Sequence, residues 1–179
     1  MNRIKDLAFL EKDDNGKDII EMVVRDDSNF LSPYSGKNPD ISSDVSDFLD
    51  SSIKGVLPSE EIKIVIKSNV IDDSEKEIDK QAIKNHYDLA RINIERRLIT
   101  NGGISLIMFL VGLFVIGLLI FLDQMNVQKI WTTIVEIAGW VFIWEAVDKF
   151  FIERKSLKLE KIYALKMINA EIIYDKLDQ

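Results

Sequence analysis

A carboxylate lies inside an apolar stretch of this sequence, and its position needs a chemical explanation. Glu136 belongs to residues 130–147, IWTTIVEIAGWVFIWEAV. A carboxylate surrounded by hydrocarbon costs about 2.5–3.5 kcal/mol on insertion scales, and such residues usually face a bundle interior or a water-filled path. Thr132 and Gly139, four residues before and three after Glu136, share its helix face. Glu136, Thr132 and Gly139 are therefore candidates for lining a pore.

Two interpretations of this face stay open. Several copies of the chain could place a ring of Glu136 carboxylates around a cation-favouring pore. Alternatively, Glu136 could be hydrogen-bonded inside a closed bundle. Glu145, nine residues further on, lies about 180° round the helix and cannot share the face. Its neighbours Asp148 and Lys149 predict a snorkelling or paired charge near the membrane surface.

A second group of candidates could contact a soluble ligand. His86 lies between two apolar stripes of a predicted helix, where a lone histidine is more often a hydrogen-bonded packing residue than a ligand or a proton switch. Tyr87 and Arg91 lie close by in the sequence. They could contact a nucleotide by stacking on its base and pairing with its phosphate.

The composition excludes several classes of chemistry. The 179 residues include no cysteine and one histidine, which excludes disulfides, Cys-based zinc or iron–sulfur sites and His-rich metal centres. Asp and Glu number 30 against 23 Lys and Arg, so we expect no binding of duplex DNA, which relies on clustered cations. No Walker loop, GxGxxG, HExxH or nucleophile elbow is present, so we expect neither enzyme activity nor a cofactor.

Two apolar stretches must position Glu136. Residues 104–122, ISLIMFLVGLFVIGLLIFL, carry no charge, and a helix of this length measures about 28 Å, close to the roughly 30 Å hydrocarbon core of a bilayer. The stretch lies far from the N-terminus and lacks a small-residue cleavage site, so it is not a signal peptide. Residues 130–148 are a weaker second candidate, joined to the first by residues 123–129. The pattern predicts a transmembrane hairpin, in which Ser105 and Gly112 would contact the second helix.

Basic residues at the ends of the hairpin predict its orientation, since Lys and Arg are retained on the cytoplasmic side. Lys129 is the only basic residue in the link between the two stretches. We therefore expect a two-pass protein of the bacterial inner membrane with both termini cytoplasmic. The basic residues that flank the hairpin are Arg91, Arg96, Arg97, Lys149, Arg154, Lys155, Lys158 and Lys161.

Residues 1–73 predict a small cytosolic α/β module. Asn15-Gly16 separates two β-forming runs and supplies the positive φ angles of a tight turn, so we expect two antiparallel strands there. Residues 28–41 are rich in Ser, Pro, Gly and Asn and predict a loop. From about Ser42 the apolar residues recur at helical spacing, and residues 61–67, EIKIVIK, alternate as in a strand with one buried face.

Charged segments flank the hairpin on both sides. Residues 74–100 predict an amphipathic connecting helix with Ser74 as its N-cap. Gly102 and Gly103 then predict a hinge, because glycine disfavours helix. Residues 149–179 predict a helix followed by a short closing strand, AEIIYDK, on the N-terminal sheet. The expected fold is an α+β membrane protein: a two-helix transmembrane hairpin with a small cytosolic α/β module built from both termini.

Several short segments occur in an order found in a known family. They are PDISSDVSDFLDSSIKG, EEIKIVIK, AIKNHYDLARINIERRL, the uncharged span and GWVFIWEAVDKFFIERKSLKLEKIYALKMINAEI. Over most of residues 17–175 the chain resembles a family of small bacterial two-pass membrane proteins, in which a cytosolic α/β module is split around a membrane hairpin. Proteins of this build resemble the membrane effectors of nucleotide-signalling antiphage systems, including the Hailong type, in which a nucleotidyltransferase product controls a membrane protein.

The resemblance implies a nucleotide or oligonucleotide ligand made by a partner nucleotidyltransferase. In an acidic module such a ligand depends on a few local cations, so Lys63, Lys67 and Lys84 join Arg91 as candidates. The leading hypothesis is a homo-oligomeric inner-membrane effector that forms an ion channel, is gated by a cytosolic ligand or partner, and arrests growth by depolarisation in antiviral defence. The alternative is a non-conducting membrane adaptor that anchors a protein-interaction module.

Overall fold

A computed structural model describes residues 11–125 and 128–177 of the chain. The fold is α+β, with a three-stranded parallel sheet and long helices. The chain divides into two compact units, which we call the α/β module (residues 1–92 and 161–179) and the helical hairpin (residues 93–160). In chain order the elements are β1 (Asp18–Val24), α1 (Ser43–Ile53), β2 (Ile62–Ser68), α2 (Asp73–Gln124), α3 (Lys129–Val147), the π-helical segment (Asp148–Glu153), α4 (Arg154–Asn169) and β3 (Glu171–Asp175).

The sheet has β2 at its centre, with β1 and β3 parallel to it on either side. The register aligns Ile64 of β2 with Ile20 on one side and Ile172 on the other. Ile20 and Ile64 are fully buried, because side chains alternate across a strand and this set faces the core. The prediction of a closing strand on this sheet is confirmed by the pairing of β3 with β2.

The predicted turn at Asn15-Gly16 is confirmed. Gly16 has a φ of 83°, and its amide donates to the carbonyl of Asp13 at 2.9 Å. Lys12, before the turn, forms an antiparallel bridge with Asp18, after the turn. The run predicted as the strand before the turn, LAFLEKDD, covers residues 7–14, and its first half lies outside the described residues, which begin at residue 11. In the part that is described, antiparallel pairing of β1 is limited to this bridge, and the sheet itself is parallel.

The starts of α1 and α2 are set by their N-caps. The hydroxyl of Ser42 accepts from the amide of Val45, which confirms the helix predicted from about Ser42. At α2 the carboxylate of Asp72 accepts from the amides of Ser74 and Glu75, while Glu75 accepts from the amide of Asp72. This reciprocal arrangement is a capping box. The predicted N-cap at Ser74 is wrong, because an ionised carboxylate is the stronger acceptor.

Two helices are long and apolar enough to cross a membrane. In each, only 11% of the most apolar window is buried within the chain, which differs from the core helix of a soluble protein. α2 runs for 52 residues through Gly102 and Gly103 without interruption, so the predicted separation of a connecting helix from the first span is wrong. Each glycine costs roughly 1 kcal/mol relative to alanine, which the helix-forming segments on both sides outweigh. α3, the π-helical segment and α4 also follow one another directly.

Candidate functional site

The two apolar helices pack on each other through glycines. A Cβ atom added at Gly112 would lie 2.6 Å from Cγ1 of Ile143, and one added at Gly139 would lie 3.3 Å from Cγ1 of Val115. Small residues let two membrane helices approach closely. The prediction that Gly112 contacts the second helix is therefore confirmed. Gly139 serves the same contact within one chain.

Glu136 lies on the exposed surface of α3. It has no hydrogen-bond or ion-pair partner among residues 11–125 and 128–177. Thr132 is partly exposed and donates its hydroxyl to the carbonyl of Lys129 at 2.8 Å. Gly139 is buried, and Val115 fills the space on its Cβ side. The prediction that Gly139 lines a pore is therefore corrected. The packing leaves Glu136 and Thr132 available on the surface.

The surroundings of Glu136 are apolar. The neighbouring side chains Ile137 and Trp140 are 60% and 65% exposed. If α3 spans a bilayer, no hydrogen bond from the described residues of its own chain replaces water at the carboxylate. The chemistry that removes this cost is a polar contact from another molecule, or water held in a path between molecules.

A polar network joins α2 to the π-helical segment. The side-chain amide of Asn101 donates to Glu153 at 2.6 Å. The ammonium group of Lys149 lies 3.2 Å from the carboxylates of both Glu153 and Glu145. The prediction that Glu145 is a paired charge is therefore confirmed. Sequence reasoning missed the role of Asn101, since its partner lies 52 positions away.

The predicted hinge residues follow Asn101 directly. Gly102 and Gly103 lie in the continuous helix α2. A Cβ atom added at either glycine would meet no heavy atom within 4 Å. Packing therefore does not require glycine at these two positions. Their role as a hinge stays a prediction.

The histidine and tyrosine of α2 are structural in this fold. His86 places Nδ1 3.0 Å from a carboxylate oxygen of Asp40, which agrees with a hydrogen-bonded packing residue. Tyr87 is buried, and its hydroxyl donates to Asp50 at 2.9 Å. Burial, with the charge of Asp50, raises the pKa of Tyr87 well above its usual range. The prediction that Tyr87 stacks on a ligand is corrected, because its ring is enclosed by the core.

The predicted cations are spread over the α/β module. The guanidinium of Arg91 donates to Asp88 at 2.8 Å, and Lys84 is exposed on α2. Lys63 and Lys67 lie on β2, on the sheet face opposite the Ile64 core, and Lys67 pairs with a carboxylate of β1 at 2.8 Å. The structure therefore does not gather these cations around one binding site.

A cavity of about 630 Å³ lies at the carboxyl ends of β2 and β3, where ligand sites of parallel sheets commonly form. Tyr174 and Lys76 line it, and the ammonium groups of Lys76 and Lys80 lie 5.7 and 5.8 Å from the centre of the Tyr174 ring. Lys76 and Lys80 are paired with Asp73 and Glu77 on the same helix, and the cavity is also lined by Asp175 and Lys176, so no excess of positive charge faces it. The sequence does not predict this cavity, because strand direction depends on long-range pairing.

A second cavity, of about 180 Å³, contains a buried carboxylate. Asp79 is 4% exposed, lines this cavity with Asp27 and Glu75, and has no hydrogen-bond partner in the described residues. Burial, with the charges of Glu75 and Asp27, raises the pKa of Asp79 to about 6. Asp79 precedes the fully buried Ala82 and Ile83 by three and four positions, which is the sequence signal that marks it.

These groups differ in the chemistry that they can support. Asp79 can exchange a proton near neutral pH, and Glu136 can attract a cation. Within the described ranges, no group of three His, Asp or Glu side chains is arranged to hold a metal ion.

No family model, curated protein or solved structure matches the chain.

Proposed function

We propose that this protein is a homo-oligomeric effector of the bacterial inner membrane whose hairpins together form an ion channel. The observation that carries the proposal is Glu136, which is exposed on an apolar helix and has no partner in the described part of its own chain. Two helices cannot enclose a water path, so several copies are required. A ring of Glu136 carboxylates around that path would favour cations.

The packing inside each hairpin supports conduction between copies. The space between α2 and α3 is filled where Gly112 meets Ile143, and a buried hydrogen bond joins Ser105 to Ala146. Each copy would therefore enter the assembly as a closed pair of helices. The water path then lies between hairpins, on the surface that carries Glu136.

The α/β module is the proposed sensor. α2 and α4 each contribute residues to both compact units of the chain, so a ligand bound to the module can act on the hairpin through two continuous helices. The resemblance to nucleotide-signalling antiphage effectors suggests a nucleotide made by a partner nucleotidyltransferase. Both termini, and the α/β module with them, would lie in the cytoplasm. Opening of the channel would dissipate the membrane potential and arrest growth.

Cation flux through the reconstituted full chain tests this proposal. Liposomes loaded with a cation-sensitive dye are assayed without nucleotide and with cyclic dinucleotides or linear oligonucleotides. We expect flux with the wild-type chain and its loss with Glu136→Gln. Glu145→Gln is the control, because Lys149 keeps its pair with Glu153. Absence of flux in every condition, flux unchanged in Glu136→Gln, or a monomeric mass in detergent would contradict the proposal.

The alternative is a non-conducting adaptor that displays the α/β module to a partner. The observation that favours it is the mixed sheet face opposite the Ile64 core, where Val23 is 46% exposed beside charged side chains. In that case Glu136→Gln changes assembly or stability without changing ion flux. Replacing Val23 on this sheet face by a charged residue would then abolish capture of the partner.

A further inference from the structure

The outward face of the π-helical segment and of α4 carries aromatic residues followed by cations. Phe150 and Phe151 are 43% and 64% exposed, and their rings meet edge to face with centroids 5.0 Å apart. Arg154, Lys155 and Lys158 follow and are exposed. Seven residues of helix from Phe151 to Lys158 extend about 10 Å, which is enough to reach from the upper acyl chains across the headgroup layer of one leaflet, roughly 5–8 Å thick.

α2 adds two more cations at the same level of the helical hairpin. Arg97 lies 3.5 Å from Glu160, and Asn101 bonds to Glu153, so this part of α2 runs beside the start of α4. Arg96 is exposed next to Arg97. We call these five cations the basic collar: Arg96, Arg97, Arg154, Lys155 and Lys158.

Most of the basic collar is not neutralised by the protein. Arg96, Lys155 and Lys158 have no ion-pair partner in the stretches that the structure describes. The guanidinium of Arg154 lies 5.2 Å from the centre of the Phe150 ring, and none of the described carboxylates forms an ion pair with it. This happens in a chain whose net charge is −7, in which acidic side chains are plentiful. The collar is therefore a basic surface on an acidic protein.

We propose that the basic collar binds the headgroups of anionic phospholipids, with Phe150 and Phe151 lying among the upper acyl chains. Guanidinium and ammonium groups pair strongly with phosphate oxygens, and basic residues directly beside membrane helices are drawn to anionic lipid. Phenylalanine rings carry no polar atom and favour the hydrocarbon of a bilayer. The proposal rests on the membrane insertion contained in the proposed function and is independent of conduction.

The basic collar has another possible role, because cations beside a membrane helix orient the helix during insertion. That role does not require the folded protein to prefer anionic over neutral lipids. Lipid retention by the purified full chain separates the two roles. The protein is equilibrated in micelles with equal amounts of phosphatidylcholine and phosphatidylglycerol, and native mass spectrometry counts the lipids that remain bound. We expect the wild-type chain to retain phosphatidylglycerol in preference to phosphatidylcholine.

Paired variants test the residues. In K155Q/K158Q the preference should fall about fivefold for each lysine removed, since one cation near an anionic surface contributes about that factor. K37Q/K54Q removes the same charge from exposed positions of the α/β module and should leave the preference unchanged. K155R/K158R keeps the charge and should retain it.

Three outcomes would overturn the proposal: equal retention of both lipids by the wild-type chain, an equal loss of preference in K37Q/K54Q, or displacement of the lipid by soluble glycerol phosphate at matched concentration. The third would identify a simple anion site. Failure of the proposed channel is distinguishable, because a chain that prefers phosphatidylglycerol yet passes no cations contradicts conduction alone. A chain that does not associate with liposomes contradicts both.

Discussion

Ser105 and Ala146 are joined by a hydrogen bond between helices, in which the buried hydroxyl of Ser105 donates to the carbonyl oxygen of Ala146 at 2.8 Å. Ala146 lies two residues before the π-helical segment (Asp148–Glu153). A π-helical turn shifts backbone hydrogen bonds from i+4 to i+5, and a hydroxyl from a neighbouring helix can satisfy carbonyl groups at such a place. The bond therefore ties α2 to α3 where the backbone geometry of the second helix changes.

Replacing Ser105 by alanine should destabilise the hairpin. Hydrogen bonds between membrane helices contribute about 0.6 kcal/mol on average and up to about 1.7 kcal/mol. Denaturant titration in detergent, followed by circular dichroism, measures the free energy of unfolding. For Ser105→Ala it should be lower than for the wild-type chain by an amount in this range. Ser156→Ala is the control, because Ser156 is exposed and its hydroxyl bonds to Glu160, on the same helix, at 3.4 Å. An equal loss in both variants would show that the Ser105 bond is not specific.

Replacing Gly112 by alanine should force the two helices apart. The added Cβ atom would lie 2.6 Å from a side-chain atom of Ile143 and 3.3 Å from its backbone nitrogen. Overpacking of this kind costs typically 1–3 kcal/mol. The thermal unfolding midpoint should fall for Gly112→Ala and should not fall for Gly117→Ala, whose Cβ atom meets nothing within 4 Å. Equal midpoints for the two variants would argue against the close helix contact.

Replacing both Gly102 and Gly103 by alanine should stabilise α2. Neither added Cβ atom meets a neighbour, and each substitution favours helix by roughly 1 kcal/mol. If the glycines act as a hinge during gating, the double variant should be more stable yet conduct less in the liposome assay. Gly117→Ala is the matched control within α2. Higher stability with unchanged conduction would contradict the prediction that these glycines act as a hinge.

Asp79 should make the stability of the α/β module depend on pH. Its pKa is raised from 3.8 to about 6 by burial first and by Glu75 and Asp27 next, so the folded state holds the proton more tightly than the unfolded state. This contribution is fully present below the unfolded pKa and is lost as the pH rises through about 6. In the wild-type chain, stability in this window should therefore fall with increasing pH.

Asp79→Asn tests that dependence. The variant should flatten the pH profile and be more stable than the wild-type chain by about 1–3 kcal/mol at pH 7.5. Unfolding by denaturant at pH 5 and pH 7.5 measures the difference. Asp47→Asn, on an exposed position of α1, should leave the profile unchanged. A profile in Asp79→Asn that still falls as in the wild-type chain would assign the dependence to other groups.

Local patterns identify much of this protein. The turn at Gly16, the helix that follows Ser42 and the strand over residues 61–67 each depend on residues a few positions apart, and all three are found in the structure. The apolar residues 104–122 likewise identify a helix that is able to cross a membrane. Periodicity and capping carry this information because the interactions concerned are short-range.

Pairing between distant residues decides the rest. The parallel direction of the sheet, the contact of Gly139 with Val115 and the bond of Asn101 to Glu153 join residues that are separated by a helix or more. The same holds for the hydroxyl of Tyr87, which bonds to Asp50, 37 positions away. Such contacts are selected by the total free energy of packing, to which residues far apart in the chain contribute together, so no short window of residues can specify them.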